Sequence, residues 1–142
     1  MALGILVILA LVLLVFLTVI PLYNRRTDRV AKLLPSGAWG HACVDPIEPR
    51  RWRVIVVDSN GIRILGRRGQ SIRGWGWAQI ESATPGPVTT TGALMGHTGL
   101  VLGLADGSTV GALLPSRSTF RYPPEVLSEA LREIRRRQPH SS

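Results

Sequence analysis

The run Arg67-Arg68-Gly69-Gln70-Ser71-Ile72-Arg73 gathers three guanidinium groups around a glycine-containing turn. A guanidinium presents a planar fork of donors that matches carboxylate and phosphate oxygens, so this turn is the first place to expect anion contact. A solvated basic hairpin tip is the plainer reading of the same residues. Non-specific attraction to an anionic lipid surface stands beside it.

Other residues invite catalytic or metal readings that their spacing does not carry. His41, Cys43 and Asp45 alternate along one short stretch. A structural zinc needs about four ligands, usually with paired Cys or His. This chain has a single Cys, and His97 and His140 are far away in sequence. A Ser-His-Asp reading through His97 and Asp106 lacks a nucleophile motif, and Asp106-Gly107 is explained by a turn. There is no phosphate-binding loop, and Gly74-Trp75-Gly76-Trp77 has the wrong spacing for a dinucleotide fingerprint. Neither an enzyme nor a bound cofactor is expected. Trp39, Trp52, Trp75 and Trp77 would suit a binding groove, but in a chain with two Phe and two Tyr they are expected to serve packing, Trp75 and Trp77 above all.

The elements that hold these residues begin with an anchor. Residues 3–20 form an uncharged run in which fifteen of eighteen residues are Leu, Ile, Val or Phe. As a helix it spans about 27 Å, close to the hydrocarbon thickness of a bilayer. Insertion is favourable by up to about 4–9 kcal/mol. A cleaved signal peptide would need a basic leader, a shorter apolar stretch and a small-residue cleavage site. Met1-Ala2 and Pro21-Leu22-Tyr23-Asn24 supply none of these, so residues 1–23 are read as an uncleaved signal anchor, with Pro21 a natural helix end or kink. Arg25, Arg26, Arg29 and Lys32 follow the span and nothing basic precedes it. The positive-inside rule then puts the N-terminus outside the cell membrane and the rest in the cytoplasm. These four residues are the expected membrane-surface contacts, each gaining about 1 kcal/mol beside anionic lipid.

Residues 24–36 read as a basic juxtamembrane linker, and 37–137 as one folded domain with a short tail, 138–142. The net charge is +8, from sixteen Arg and one Lys against nine acidic residues. No recognition helix or exposed stacking aromatics accompany that charge, so nucleic acid is not an expected partner. A lone Cys suits a reducing compartment.

Within the domain, Arg53–Asp58 and Ile62–Leu65 flank Asn60-Gly61, which signals a hairpin with Asp58 opposite Arg63 and Val57 opposite Ile64. Leu100–Ala105 and Ser108–Leu114 flank Asp106-Gly107 and form a second hairpin, with Leu113 opposite Leu100. Ser71–Trp77 and Gln79–Ala83 read as further strands, Thr84–Gly96 as a long loop, and Gly37–Val44 as a first strand. The chain ends in an amphipathic helix opened by Pro123-Pro124, with Val126, Leu127, Ala130, Leu131 and Ile134 in one stripe and Arg135–Arg137 in the last turn. Glu129–Arg132, Glu133–Arg136 and Glu133–Arg137 are its expected ion pairs. Up to seven antiparallel strands followed by one helix define an α+β class, a sheet or partly open barrel covered by the helix.

The segments VIVVDSNGIRIL, GWGWAQIESA, GLVLGLADGSTVGALLP and PPEVLSEALREIRRR, in that order, resemble a pleckstrin-homology-like domain. The likeness covers residues 37–137 and is of the kind found in small single-pass membrane proteins of high-GC Gram-positive bacteria. It implies a non-enzymatic binding platform at the membrane, contacting a protein partner. An anionic-lipid sensor and an accessory subunit of a transport or export system are the alternatives. In lipid-binding domains of this kind, basic residues on a strand-connecting loop engage head groups. The resemblance thereby marks Arg67, Arg68 and Arg73 as lipid or partner contacts.

Overall fold

The computed structural model describes residues 1–92, 96–116 and 121–139, leaving aside the side chains of 20–28. Helix α1 (Ala2–Leu33) is followed by strands β1 (Trp39–Val44), β2 (Trp52–Val57), β3 (Gly61–Leu65), β4 (Ser71–Gly76), β5 (Ile80–Val88), β6 (His97–Leu104) and β7 (Thr109–Ala112), and helix α2 (Pro124–Arg137) closes the order. A single turn of 3-10 helix, Trp77–Gln79, joins β4 to β5. The class is α+β, as the strand-then-helix order requires.

The strands form two antiparallel sheets, β1-β2-β3-β4 and β5-β6-β7, which do not close into a barrel. One bridge joins them: Val44 N–H donates to Leu113 O at 2.8 Å and Leu113 N–H returns to Val44 O at 3.2 Å. The main core lies between the sheets and beneath α2. Ile55, Val57, Ile62 and Ile64 come from the first sheet, Leu100, Leu102, Leu104 and Ala112 from the second, and Leu127, Ala130, Leu131 and Ile134 from α2. The apolar stripe of α2 thus covers the sheets as its 3.6-residue period demands. Arg137 Nη1 donates to Gly37 O at 2.8 Å and Gln138 Nε2 to Ile80 O at 3.3 Å, fastening the helix end to β5 and to the start of the domain.

Three expectations about the strands are corrected. Asp58 is not opposite Arg63, nor Val57 opposite Ile64: Val57 pairs with Ile62 and Val56 with Arg63. Asp58 N–H donates to Gly61 O at 3.1 Å, so the turn residues are Ser59-Asn60. Asp58 Oδ1 accepts from Asn60 N–H at 2.8 Å, an Asx turn that needs no positive φ at Asn60. In the second hairpin Leu100 pairs with Ala112, not Leu113. Leu104 N–H donates to Ser108 O at 2.9 Å, with Gly107 at φ +87°, so the loop has three residues and every partner moves by one. Residues 84–88 are not loop but the second half of β5, paired with β6 from Pro85↔Leu100 to Val88↔His97. Of the remainder of that expected loop, residues 93–95 lie outside the described residues.

Two of the sheet edges are guarded. Pro85 and Pro87, two residues apart on the edge strand β5, remove two donors in a row. Edge strand β4 carries a bulge opposite Ile64/Leu65 and turns Arg73 toward the core side, opposite Ile64.

Helix α1 holds one stretch, Ala2–Val19, long and apolar enough to cross a membrane, with mean hydropathy 3.2 and none of it buried against the rest of the protein. The helix does not end at Pro21 but runs to Leu33, so most of the basic linker is helical. Proline is tolerated more readily in membrane helices than in soluble ones. The last turn of α1 packs on the outer face of the first sheet. Val30 is buried there with Val54, Val56 and Leu65, and Leu33, Leu34, Ala38, Ala42 and Trp52 complete this second cluster. Even-numbered residues of β2 therefore face α1, and odd-numbered ones face the main core, by the two-residue period of a strand. From Val19 to Leu33 the helix rises about 21 Å.

Candidate functional site

In antiparallel hairpins alternate turns share one end of the sheet, which brings the β1–β2 connection (45–51) beside the β3–β4 turn (66–70). Arg51, Arg53, Arg67, Arg68 and Gln70 line a recess of about 410 Å³ between them. The β3–β4 turn is tightly fixed. Gly66 N–H donates to Gln70 O at 2.8 Å, Gly69 N–H to Gly66 O at 3.0 Å, and Arg68 N–H to Gln70 Oε1 at 3.0 Å. Gly69 has φ +80° and abuts Leu33, so the turn rests on the end of α1.

Arg53 is the deepest member, its side chain 11% exposed. Its Nη2 donates to Glu48 Oε2 at 2.9 Å, while Nε is buried with no hydrogen-bond partner. Arg51 Nη1 lies 4.0 Å from the same Glu48 oxygen. Arg67 sits with its guanidinium carbon 5.9 Å from the centroid of the Trp52 ring, a cation–π placement. Arg51 and Arg53 thus share one carboxylate, Glu48, and Arg67 and Arg68 line the same recess. The domain's exposed large apolar side chains among the described residues are Ile47 (68% exposed) and Ile72 (38%). Both are at this same end, one in the β1–β2 connection and one at the start of β4.

Arg67 and Arg68, expected from sequence, meet in the recess. Arg73 does not join them. Its Nη2 donates to Asp45 Oδ2 at 2.9 Å, and its guanidinium lies 5.9 Å from the Trp75 ring centroid. Arg51 and Arg53 were missed by sequence reasoning, although Arg50-Arg51-Trp52-Arg53 is as basic as the turn that was singled out. Arg29 and Lys32 are exposed on the last turns of α1; the side chains of Arg25 and Arg26 lie outside the described residues.

The candidate metal residues have other tasks. His41 Nε2 is 2.6 Å from Pro115 O, and Asp45 holds both Arg73 and the Ile47 N–H, the latter at 2.9 Å. Cys43 is 1% exposed; burial, with the nearby Asp45 carboxylate, pushes its thiol up to about 12. His140 lies outside the described residues. His97 packs against Tyr122 with ring centroids 4.9 Å apart and the rings tilted by 51°, and Asp106 Oδ1 accepts from Ser108 N–H at 2.8 Å to hold its turn. Those two residues stand in different roles at different places. A second recess, about 510 Å³, is lined by His97, Thr98, Arg121, Tyr122, Pro124 and Leu127 at the start of α2.

All four Trp are half-buried, packed at the margins of the two clusters rather than exposed as a stacking platform. Trp39 Nε1 donates to Glu129 Oε1 at 3.1 Å and Trp77 Nε1 to Ser59 O at 3.0 Å, which fixes both rings. The chain matches no protein-family model and no curated protein.

Proposed function

We propose that the protein is a single-pass membrane-anchored, non-enzymatic interaction module of the pleckstrin-homology-like kind. Its sheet-and-helix domain lies on the cytoplasmic side and engages protein partners at the membrane surface. The observation that carries this reading is the continuity of α1, whose apolar part leads without a break into a last turn packed on the outer face of the first sheet. A helix seated in this way presents the domain at a set distance from the bilayer rather than on a free tether. The basic residues after the span favour the cytoplasmic side.

Topology is tested by labelling a Ser142→Cys variant with an impermeant maleimide. Native Cys43 is buried and its thiol is held protonated, so the introduced thiol is the one that reports. Labelling is expected only after the membrane is opened. Labelling in intact cells would place the domain outside and overturn the cytoplasmic reading.

A second reading, contact with anionic lipid, is favoured by the arginine recess. It predicts that full-length protein reconstituted in neutral discs captures phosphatidylglycerol vesicles at low salt. It also predicts loss of that capture as the Debye length falls from about 10 Å at 0.1 M to about 3 Å at 1 M.

A further inference from the structure

We propose that the recess of Arg51, Arg53, Arg67 and Arg68 is a docking point for an acidic, extended segment of a protein partner. In this arrangement Glu48 stands in for the partner's carboxylate. The inference rests on the protein-partner reading above and specifies its chemistry.

The recess already takes a carboxylate. Glu48, on the same chain, places one oxygen 2.9 Å from Arg53 Nη2 and 4.0 Å from Arg51 Nη1. Its own side chain is 48% exposed and sits in a connection, not in a strand, so an incoming carboxylate reaches Arg53 by displacing it. Arg67 and Arg68 line the same recess, are exposed, and enter no salt bridge among the described residues. Four guanidiniums against one carboxylate leave an excess of about three positive charges, complementary to a run of Glu or Asp.

The flanks fit a polypeptide. Ile47 and Ile72 stand exposed at the same end of the first sheet, and Trp52 backs Arg67. Apolar side chains beside arginines and an aromatic ring are the composition of a protein contact. An acidic segment with apolar residues interspersed would satisfy both. A bilayer of the protein's own membrane is the less favoured occupant. The β3–β4 turn rests on Leu33, and a helix standing upright rises about 15 Å from residue 23, the end of the anchor, to that residue. That is nearly twice the Debye length of about 8 Å at physiological salt.

The test uses the full-length protein in discs of neutral lipid and a fluorescent hexaglutamate peptide as probe, read by anisotropy. Binding is expected to weaken about tenfold in Arg67→Gln/Arg68→Gln and to strengthen several-fold in Glu48→Gln, where the competing carboxylate is gone. A gain of binding cannot come from misfolding. The charge-matched variant Arg132→Gln/Arg135→Gln, on α2, should bind within about twofold of wild type. Equal losses in the two double variants would mean general electrostatics and overturn the proposal. So would an unchanged affinity in Glu48→Gln. Recess-dependent capture of phosphatidylglycerol vesicles without hexaglutamate binding would overturn it in favour of lipid. Photo-crosslinkers at Ile47 and at Glu125 in native membranes separate this from the broader reading. A partner captured only at Glu125 sinks the recess and leaves the interaction module standing.

Discussion

Arg73 of β4 donates to Asp45 at the exit of β1 at 2.9 Å, although β2 and β3 lie between their strands. Flat strands about 4.8 Å apart would hold β1 and β4 about 14 Å from one another. The contact therefore records how far the first sheet curls over the main core. It also explains why Arg73 leaves the arginine recess: the nearly buried Asp45 carboxylate draws it inward. Removing Arg73 should cost more than removing Asp45, because Arg73→Gln leaves a buried carboxylate without its partner. With Arg73 a third exposed, the expected loss is about 1–3 kcal/mol. Denaturant unfolding of Arg73→Gln, Asp45→Asn and the double variant checks this, and additive losses would show that the pair is not coupled.

The first hairpin offers a backbone test. Gly61 has φ +148°, and a Cβ there would run into the Trp75 carbonyl oxygen of β4. Gly61→Val is thus both strained and obstructed, and should destabilise by about 2 kcal/mol or more. Asn60→Ala removes no positive-φ requirement and should cost well under about 1 kcal/mol. Reversed magnitudes in thermal melts would restore Asn60-Gly61 as the turn.

The sequence carried the elements better than their registers, and the reasons are local. Moving the first turn by one residue shifted each pair by two positions, which kept Ile62 and Ile64 on the core face. The three-residue loop at Ala105-Asp106-Gly107 shifted each pair by one. Since a one-residue slip exchanges faces, Val110, Ala112 and Leu114 join Leu100 and Leu102 in the main core. Pro85 and Pro87 argued against a strand from sequence, yet an edge position accepts them. The amphipathic stripe of α2 was fully legible because a 3.6-residue period has one solution. The recess was half legible: a run such as Arg67-Arg68 can be seen in a line of text, while Arg51 and Arg53 reach it only through strand pairing.

Leu131 lies under α2, 7% exposed, in the main core. Leu131→Asp puts a carboxylate among apolar side chains with no partner and should cost about 4 kcal/mol or more, enough to unfold a marginal domain. An unchanged melting temperature would mean that α2 does not hold the two sheets together.

Titration should separate two groups. Burial raises the Glu133 carboxyl, but hydrogen bonds and charge from Arg137 and Arg136 outweigh it and leave the net shift downward. Its contribution is present above the ordinary carboxylate range and is lost as pH falls below it. Cys43 moves the other way, from 9.0 to about 12, because the fold keeps the thiol protonated. Stability is therefore expected to decline as pH rises from about 9 toward 12 as the unfolded chain loses that proton first. Cys43→Ala should remove this alkaline slope. A slope that survives the substitution would assign it to other groups.

The end of α1 makes the last prediction. Val30 is 7% exposed, and with Leu33 and Leu34 it covers Val54, Val56 and Leu65 on the outer face of the first sheet. Leu34 also lies across Gly40 of β1, where an added Cβ would meet its Cδ2. A soluble fragment beginning at residue 37 lacks this cover and exposes a patch of β-branched residues to water. Burial of one such side chain is worth about 1.5–3 kcal/mol, so the loss is a large share of a small domain's stability. The fragment 24–142 should therefore melt several degrees higher than 37–142 and stay monomeric where the shorter one associates. Val30→Asp in the longer fragment should lower its melting temperature toward that of the shorter. If the two fragments melt together and Val30→Asp changes neither, the helix end is a spacer beside the sheet and not part of its fold.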